Sequence, residues 1–96
     1  MKKSINIDYI KSELKKIQKY FLAQKFKKVI EKTTNLLKKD PNQVPYYNYI
    51  GLSYHHLRKP EIAKEFLLKG LEINPKNQSL MVNLGSVLRA TQNFIE

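Results

Sequence analysis

The sequence predicts an all-α protein of five helices arranged as stacked helical hairpins. Apolar residues recur at spacings of three and four along most of the chain, which is the period of an α-helix. The breaks between these stretches hold the four prolines or short polar segments. Part of the pattern also repeats after 34 residues, and a fixed period of this size is typical of repeat architectures.

The first two helices are predicted over residues 8–22 and 26–39, separated by a short turn at 23–25. In both segments the apolar side chains fall on one face, because they recur every three or four residues. These faces comprise Ile10, Leu14, Ile17, Phe21, Phe26, Val29, Ile30, Thr33, Leu36 and Leu37.

Prolines help to place the other three helices, which are predicted over 45–57, 60–73 and 79–91. The segment 39–45 holds two prolines, and the helical conformation is disfavoured for a residue that directly precedes proline. Pro60 suits the first turn of the helix that it begins. The predicted apolar faces comprise Tyr47, Ile50, Tyr54, Leu57, Ile62, Ala63, Phe66, Leu67, Gly70, Leu71, Leu80, Met81, Leu84 and Leu88.

Two glycines, Gly51 and Gly85, lie in helical segments one 34-residue period apart. Glycine in a helix interior costs roughly 1 kcal/mol relative to alanine, so its use at both positions needs a compensating gain. We expect both glycines to lie where the first helix of a hairpin crosses the second, with Ala63 opposite Gly51. Neighbouring apolar side chains would then pack more closely.

These residues resemble the signature of the tetratricopeptide repeat (TPR) family. The matching positions are Tyr47, Ile50, Gly51, Tyr54, Ala63, Leu67, Gly70 and Pro75 in the middle unit, and Leu84 and Gly85 one repeat later. The resemblance implies one domain over 1–96, with a degenerate first repeat at 8–41, a full repeat at 44–75 and a partial third repeat at 78–96. The implied fold is a right-handed α-α superhelix of about two and a half TPR hairpins.

Two features depart from the complete family pattern. In the first repeat Ile17 occupies the glycine position and Val29 the alanine position, which predicts either a wider helix crossing or a capping role for this repeat. The third repeat stops before its second helix, and residues 91–96 are interpreted as a turn and the start of that helix. We therefore expect the N-terminal fragment of a longer bacterial TPR protein, with self-association through the uncovered helix 79–91. The alternative is a natural end with that helix as a solubilising cap.

The sequence offers no familiar catalytic or metal-binding arrangement. His55 and His56 lie about 100° apart on a helix and cannot chelate one ion as an i, i+4 pair would. Ser53 and His55 point away from each other, so no activated nucleophile is formed. Cysteine is absent, as are the common phosphate-binding and nucleophile motifs. We therefore expect a protein that is not an enzyme and holds no metal or cofactor.

The net charge of +10 is concentrated in residues 1–40, where 12 lysines face 4 carboxylates. Lys11, Lys15 and Lys19 recur every four residues and form a stripe that could bind phosphates. Base stacking would also need exposed aromatic side chains, and most aromatics fall on the predicted core faces. Nucleic-acid or polyanion binding is thus an alternative, while a solvated helix face is expected. Neither a signal peptide nor a run of 18 apolar residues is present, so we expect a cytoplasmic protein without membrane contact.

The predicted function is binding of a protein or peptide segment. The TPR resemblance implies a concave groove lined by the first helix of each hairpin, with Asn48, Tyr49, Leu52, His55, His56, Val82, Asn83, Ser86 and Arg89 facing it. Leu14 and Gln18 stand where the family's carboxylate clamp has Lys and Asn, so that binding mode is not expected. The segment 83–85 matches the motif whose asparagine holds peptide backbone in glycosyltransferase-linked repeats. A further alternative is a structural N-terminal module of a larger TPR-containing transferase.

Overall fold

Five helices make up the described part of this chain, whose structure is a computed structural model. It describes the backbone of residues 6–95 and the side chains of residues 6–92. The helices are α1 (Ile7–Leu22), α2 (Phe26–Lys39), α3 (Val44–His56), α4 (Pro60–Ile73) and α5 (Gln78–Ile95). No strand occurs in residues 6–95, so the predicted all-α fold is confirmed. The first four helices begin and end within one residue of the predicted bounds.

The last helix is longer than predicted. We expected a turn within residues 91–96, but α5 continues to Ile95. No glycine or proline follows Gly85, so nothing in the backbone interrupts the i→i−4 hydrogen bonds. The prediction of a turn and a new helix is therefore wrong for 91–95, while Glu96 lies outside the described residues.

The helical turns repeat their geometry after 34 residues. Gln24, in the α1–α2 turn, has φ 61°, and Arg58, in the α3–α4 turn, has φ 65°. The next N–H in each turn donates to the carbonyl five residues earlier at 2.9 Å, from Lys25 to Tyr20 and from Lys59 to Tyr54. This 6→1 hydrogen bond over a left-handed residue is the usual way to end a helix sharply. The turns of the two hairpins are thus equivalent in backbone conformation.

The helices pack in chain order, each against the next, as in a helical-repeat superhelix. In addition, α3 contacts both α1 and α5, whereas α2 and α4 do not meet within the described residues. Since the row formed by α1, α3 and α5 is the more closely spaced, the stack curves toward it. The result is an elongated body of 53 × 29 × 19 Å. We call the inner side formed by α1, α3 and α5 the concave face.

Two apolar clusters hold the stack together. The first joins the first three helices and consists of Ile17, Val29, Leu36 and Tyr46. The second joins α4 and α5 and consists of Ala63, Leu67, Leu80 and Val87. Ile50 is also buried, on α3, which packs against both α2 and α4. Neither hairpin buries its apolar faces alone, which is the general property of repeat units.

Some predicted core positions are displaced by one residue. Tyr46 is buried where Tyr47 was expected, and Val87 is buried where Leu88 was expected. Met81 and Leu88 are 46% and 40% exposed. Contacts with α2 as well as α4 set the rotation of α3, and α5 has no following helix in the described chain to cover its other side. Tyr47 is half-buried, and its hydroxyl donates to the Pro41 carbonyl at 2.7 Å.

The glycines differ in their surroundings. A Cβ at Gly51 would lie 2.8 Å from Leu67 Cγ and 3.3 Å from the Ala63 carbonyl oxygen, so α3 and α4 meet closely there. Gly70 has the same role between α4 and α5, because its Cβ would lie 2.8 Å from Leu80 Cδ1. The expectation of a tight crossing is wrong at Gly85, whose Cβ would meet nothing nearer than the Arg89 guanidinium at 4.0 Å. No helix follows α5 to pack on it within residues 6–95.

A buried carboxylate links the first two helices, which approach each other less closely than α3 and α4 do. Glu13 lies on α1 and is almost inaccessible to solvent. Its oxygens lie 2.7 Å from Lys32 Nζ on α2 and 3.2 Å from Lys16 Nζ one turn along α1. The hydrogen bond from Lys32 lowers the pKa of Glu13, against the opposing effect of burial, and the bond from Lys16 lowers it further. This ion-pair network was not predicted from the sequence.

The Glu13 network should make the stability of the protein pH-dependent in acid. Because the folded-state pKa of Glu13 is lowered, its stabilisation is present above the unfolded-state pKa of about 4.3 and is lost as pH falls through the folded-state pKa. Glu13→Gln is expected to cost about 1 kcal/mol at pH 7, since both lysines remain partly solvated, and progressively less toward pH 3. Urea unfolding followed by circular dichroism at several pH values measures both quantities. Glu72→Gln, on the exposed side of α4, is the control and should show neither effect.

Candidate functional site: the concave face

The concave face carries two open depressions, one on each side of α3. The first lies between α1 and α3 and is lined by Lys11, Leu14, Lys15, Gln18, Pro45 and Tyr49. We call it the cationic pocket. The second lies between α3 and α5 and is lined by Asn48, Gln78, Ser79, Val82 and Asn83. We call it the amide pocket. Both are shallow and open to solvent, as a surface for an extended ligand would be.

The amide pocket is organised by a hydrogen bond between equivalent faces of two repeats. Asn83 Nδ2 on α5 donates to Asn48 Oδ1 on α3 at 2.7 Å. Each carboxamide has two N–H groups and two acceptor lone pairs, so this bond leaves donors and acceptors on both residues. These groups match the alternating N–H and C=O groups of an extended peptide backbone. The pair therefore holds two amides in a fixed position beside the depression.

The cationic pocket has an apolar floor that rests on the core. Leu14 and Tyr49 are half-buried and pack against the first apolar cluster. The Tyr49 ring meets Phe21 edge-on, with ring centroids 5.6 Å apart and an interplanar angle of 70°. Pro45 comes one helical turn before Tyr49 and exposes its ring on the same face. The side chains of Lys11 and Lys15 border this floor on the α1 side and are exposed.

The structure divides the predicted groove residues into two groups. Asn48, Tyr49, Val82 and Asn83 line the depressions. Leu52, His55, Ser86 and Arg89 line neither of these two depressions. Leu52 and His55 are half-buried on α3. On α5, Arg89 Nη2 donates to Ser86 Oγ at 3.3 Å.

The two histidines have different surroundings. His56 stacks on Phe26, with ring centroids 4.6 Å apart and an interplanar angle of 1°, and meets Phe21 edge-on at 5.6 Å. It therefore covers the α1–α2 turn rather than the groove. Burial lowers the pKa of His55, and the neighbouring His56 lowers it further. His55 is consequently favoured in its neutral form at physiological pH.

Several residues of the two pockets were not predicted as groove residues. Lys11 and Lys15 were considered only as part of a possible phosphate-binding stripe, and Pro45 only as a helix boundary. Gln78 and Ser79 begin α5 and were not considered for binding. The i, i+4 spacing of Pro45 and Tyr49 can be read from the sequence. Their position next to α1 could not be predicted, because it depends on how α1 and α3 pack.

Neither a metal-ligand cluster nor a helix suited to crossing a membrane occurs in the described residues. No group of three histidine, aspartate or glutamate side chains in this part of the chain could hold a metal ion. None of the five described helices combines the length and hydropathy needed to cross a membrane.

Comparison with known proteins shows a resemblance to part of a larger protein. No protein-family model matches the chain. A curated protein from Dictyostelium discoideum, the DnaJ homolog subfamily C member 3 homolog, is 28% identical over 100 residues. The match covers 96% of this chain and 20% of the relative, so the chain spans about a fifth of that protein's length. This likeness and the sequential packing of five helices fit a helical repeat and, in general terms, a protein-interaction module.

Proposed function

We propose that the chain is a non-catalytic, TPR-type module that binds an extended protein segment along its concave face. The 34-residue recurrence of the turn geometry, with φ values of 61° and 65° and matching hydrogen bonds, supports the assignment to this repeat type. The DnaJ-homologue resemblance extends over nearly the whole chain and fits, in general terms, a helical protein-interaction module.

The observation that carries the proposal is the Asn48–Asn83 amide pair. The two side chains belong to different repeats, lie 35 residues apart in sequence and are joined at 2.7 Å on the groove side. A buried core polar pair would be expected to satisfy its groups internally, whereas these partly buried amides border an open depression. They can therefore bind the backbone of a ligand without regard to its side chains.

Peptide selection provides a direct test of this function. We expect a random dodecapeptide library displayed on phage to yield peptides that bind the purified protein. Each lost neutral hydrogen bond costs about 0.5–1.5 kcal/mol, so the double variant Asn48→Ala/Asn83→Ala should weaken selected peptides about tenfold. Binding that depends on these amides should persist at moderate salt concentrations, unlike phosphate binding.

The matched control is Asn35→Ala, which removes an exposed asparagine of α2 that lies outside both pockets. It should leave peptide affinity unchanged, and circular dichroism should show that all variants are folded. Selected peptides that bind the double variant as well as the parent protein would contradict the proposal. So would peptides that lose affinity through Asn35→Ala alone.

A further inference from the structure

We propose that the cationic pocket selects an acidic segment with an apolar side chain between its carboxylates. The inference rests on the proposed function and adds the chemistry of the partner. The bound segment would run along α1 in the space between α1 and α3, with its acidic residues toward α1 and its apolar residue toward α3. The two sides of the bound segment would thus meet different chemistry, which an amide ladder alone would not provide.

The floor of the cationic pocket is apolar. Leu14, Pro45 and Tyr49 come from two helices and present one apolar surface to solvent. Leu14 and Tyr49 are held from beneath by the first core cluster, and the Phe21 ring limits the orientation of Tyr49. A surface that is already ordered loses little conformational entropy when a ligand binds. An aromatic or aliphatic side chain would be favoured here because it removes apolar area from water.

Lys11 and Lys15 supply the positive charge of the pocket. Both side chains are exposed on the rim of the pocket. Within the described residues, the ion pairs of Glu13 use Lys16 and Lys32, which do not line this pocket. The pocket lining itself contains no carboxylate. A ligand carboxylate would therefore meet a positive potential that is not neutralised by a neighbour in the lining.

The spacing of the lysines fits an extended ligand. Residues four apart on a helix are separated by about 6 Å along its axis. Alternate residues of an extended chain are separated by about 6.6 Å and point to the same side. Two carboxylates at positions i and i+2 can thus face Lys11 and Lys15, while the side chain between them points to the other side, toward Pro45 and Tyr49. A Glu-Phe-Glu sequence satisfies both requirements.

The remainder of the groove favours a peptide over a nucleic acid. The amide pocket is lined by uncharged residues only, so a polyanion would be matched at one end of the groove. The Tyr49 ring is also only partly available for base stacking, because it is half-buried against Phe21. Base stacking on successive aromatics is the usual source of affinity for single strands. The site also differs from a clamp for a terminal carboxylate, because Leu14 and Gln18 stand in its positions and side-chain carboxylates are the proposed ligands.

Fluorescence polarisation with three labelled, acetylated and amidated decapeptides tests the inference. The peptides share serine and glutamine flanks and differ in a central Glu-Phe-Glu, Gln-Phe-Gln or Glu-Ser-Glu. We expect Glu-Phe-Glu to bind about tenfold more tightly than either of the others. Lys11→Gln/Lys15→Gln should reduce its affinity to that of Gln-Phe-Gln. Lys38→Gln/Lys39→Gln, which removes two exposed lysines of α2 outside the pocket, should not change it.

The other outcomes separate this inference from the proposed function. If all three peptides bind equally and Asn48→Ala/Asn83→Ala weakens them, the acidic preference is wrong and the peptide-binding function stands. Equal losses from both lysine pairs would indicate general charge attraction and would overturn the inference. Tighter, Lys11- and Lys15-dependent binding of an oligothymidylate would also overturn it, in favour of a nucleic acid. Absence of binding by all three up to about 1 mM would overturn it as well, and library-selected peptides would then decide the proposed function separately.

Discussion

Gly51→Ala is expected to destabilise the protein by about 1–2 kcal/mol, although alanine is the better helix former. The added methyl group would lie 2.8 Å from Leu67 Cγ, and both residues are buried. Overpacking of a close core contact costs about 1–3 kcal/mol, and the helix propensity of alanine recovers about 0.5–1 kcal/mol. Since Leu67 Cγ belongs to a fully buried side chain and the Ala63 carbonyl belongs to the helix backbone, neither can move away freely.

Gly85→Ala is the matched control for this prediction, because Gly85 lies one repeat later in the same type of helix. Its Cβ position is open, so the substitution should stabilise the protein by about 0.5–1 kcal/mol through helix propensity. Urea unfolding followed by far-ultraviolet circular dichroism would measure both changes. Equal effects of the two substitutions, in either direction, would show that the close crossing at Gly51 does not determine the packing of α3 on α4.

Ile17→Ala is expected to have the largest effect of a single substitution in the first hairpin, with a loss of about 2–5 kcal/mol. Ile17 is completely buried and packs with Val29 and Tyr46 at the junction of three helices. Truncation removes apolar contacts and leaves a cavity that the surrounding helices can fill only in part. A domain of this size has a modest total stability, so much of the population should unfold at low urea concentrations.

The same helix offers a control of identical chemistry. Ile7 is 62% exposed at the start of α1, so Ile7→Ala should change the free energy of unfolding by about 0.5 kcal/mol or less. The comparison separates loss of burial from the gain in helix propensity, because both substitutions replace isoleucine by alanine in α1. Similar unfolding midpoints for the two variants would contradict the assignment of Ile17 to the core.

Helix bounds could be predicted closely because their determinants are local. The segment 39–45 with its two prolines, and Pro60, mark helix ends through backbone geometry, which does not depend on the rest of the fold. The end of α5 lacked such a signal, and its prediction failed there. The close approach of Gly51 to Ala63 could be predicted from the sequence as well, because a glycine inside a helix needs a compensating contact and Ala63 is a small residue on the next helix.

The candidate site could be predicted only in part. Asn83 and Tyr49 were proposed from the family resemblance, and the structure places them beside different pockets. The partner of Asn83 turned out to be Asn48, through a hydrogen bond between α3 and α5. The cationic pocket was not predicted because its walls come from α1 and α3, which are separated in the chain by α2.

The sequence by itself determined the number of helices, nearly all of their bounds and the 34-residue period, since these follow from backbone preferences and apolar spacing along the chain. The tertiary structure decided which side of each helix is covered. It buried Tyr46 instead of Tyr47 and Val87 instead of Leu88, and it left the Cβ position of Gly85 without a close neighbour. The physical reason is that the rotation of a helix about its axis is set by the neighbours on all its sides. A periodic sequence specifies the width of an apolar face more closely than its direction.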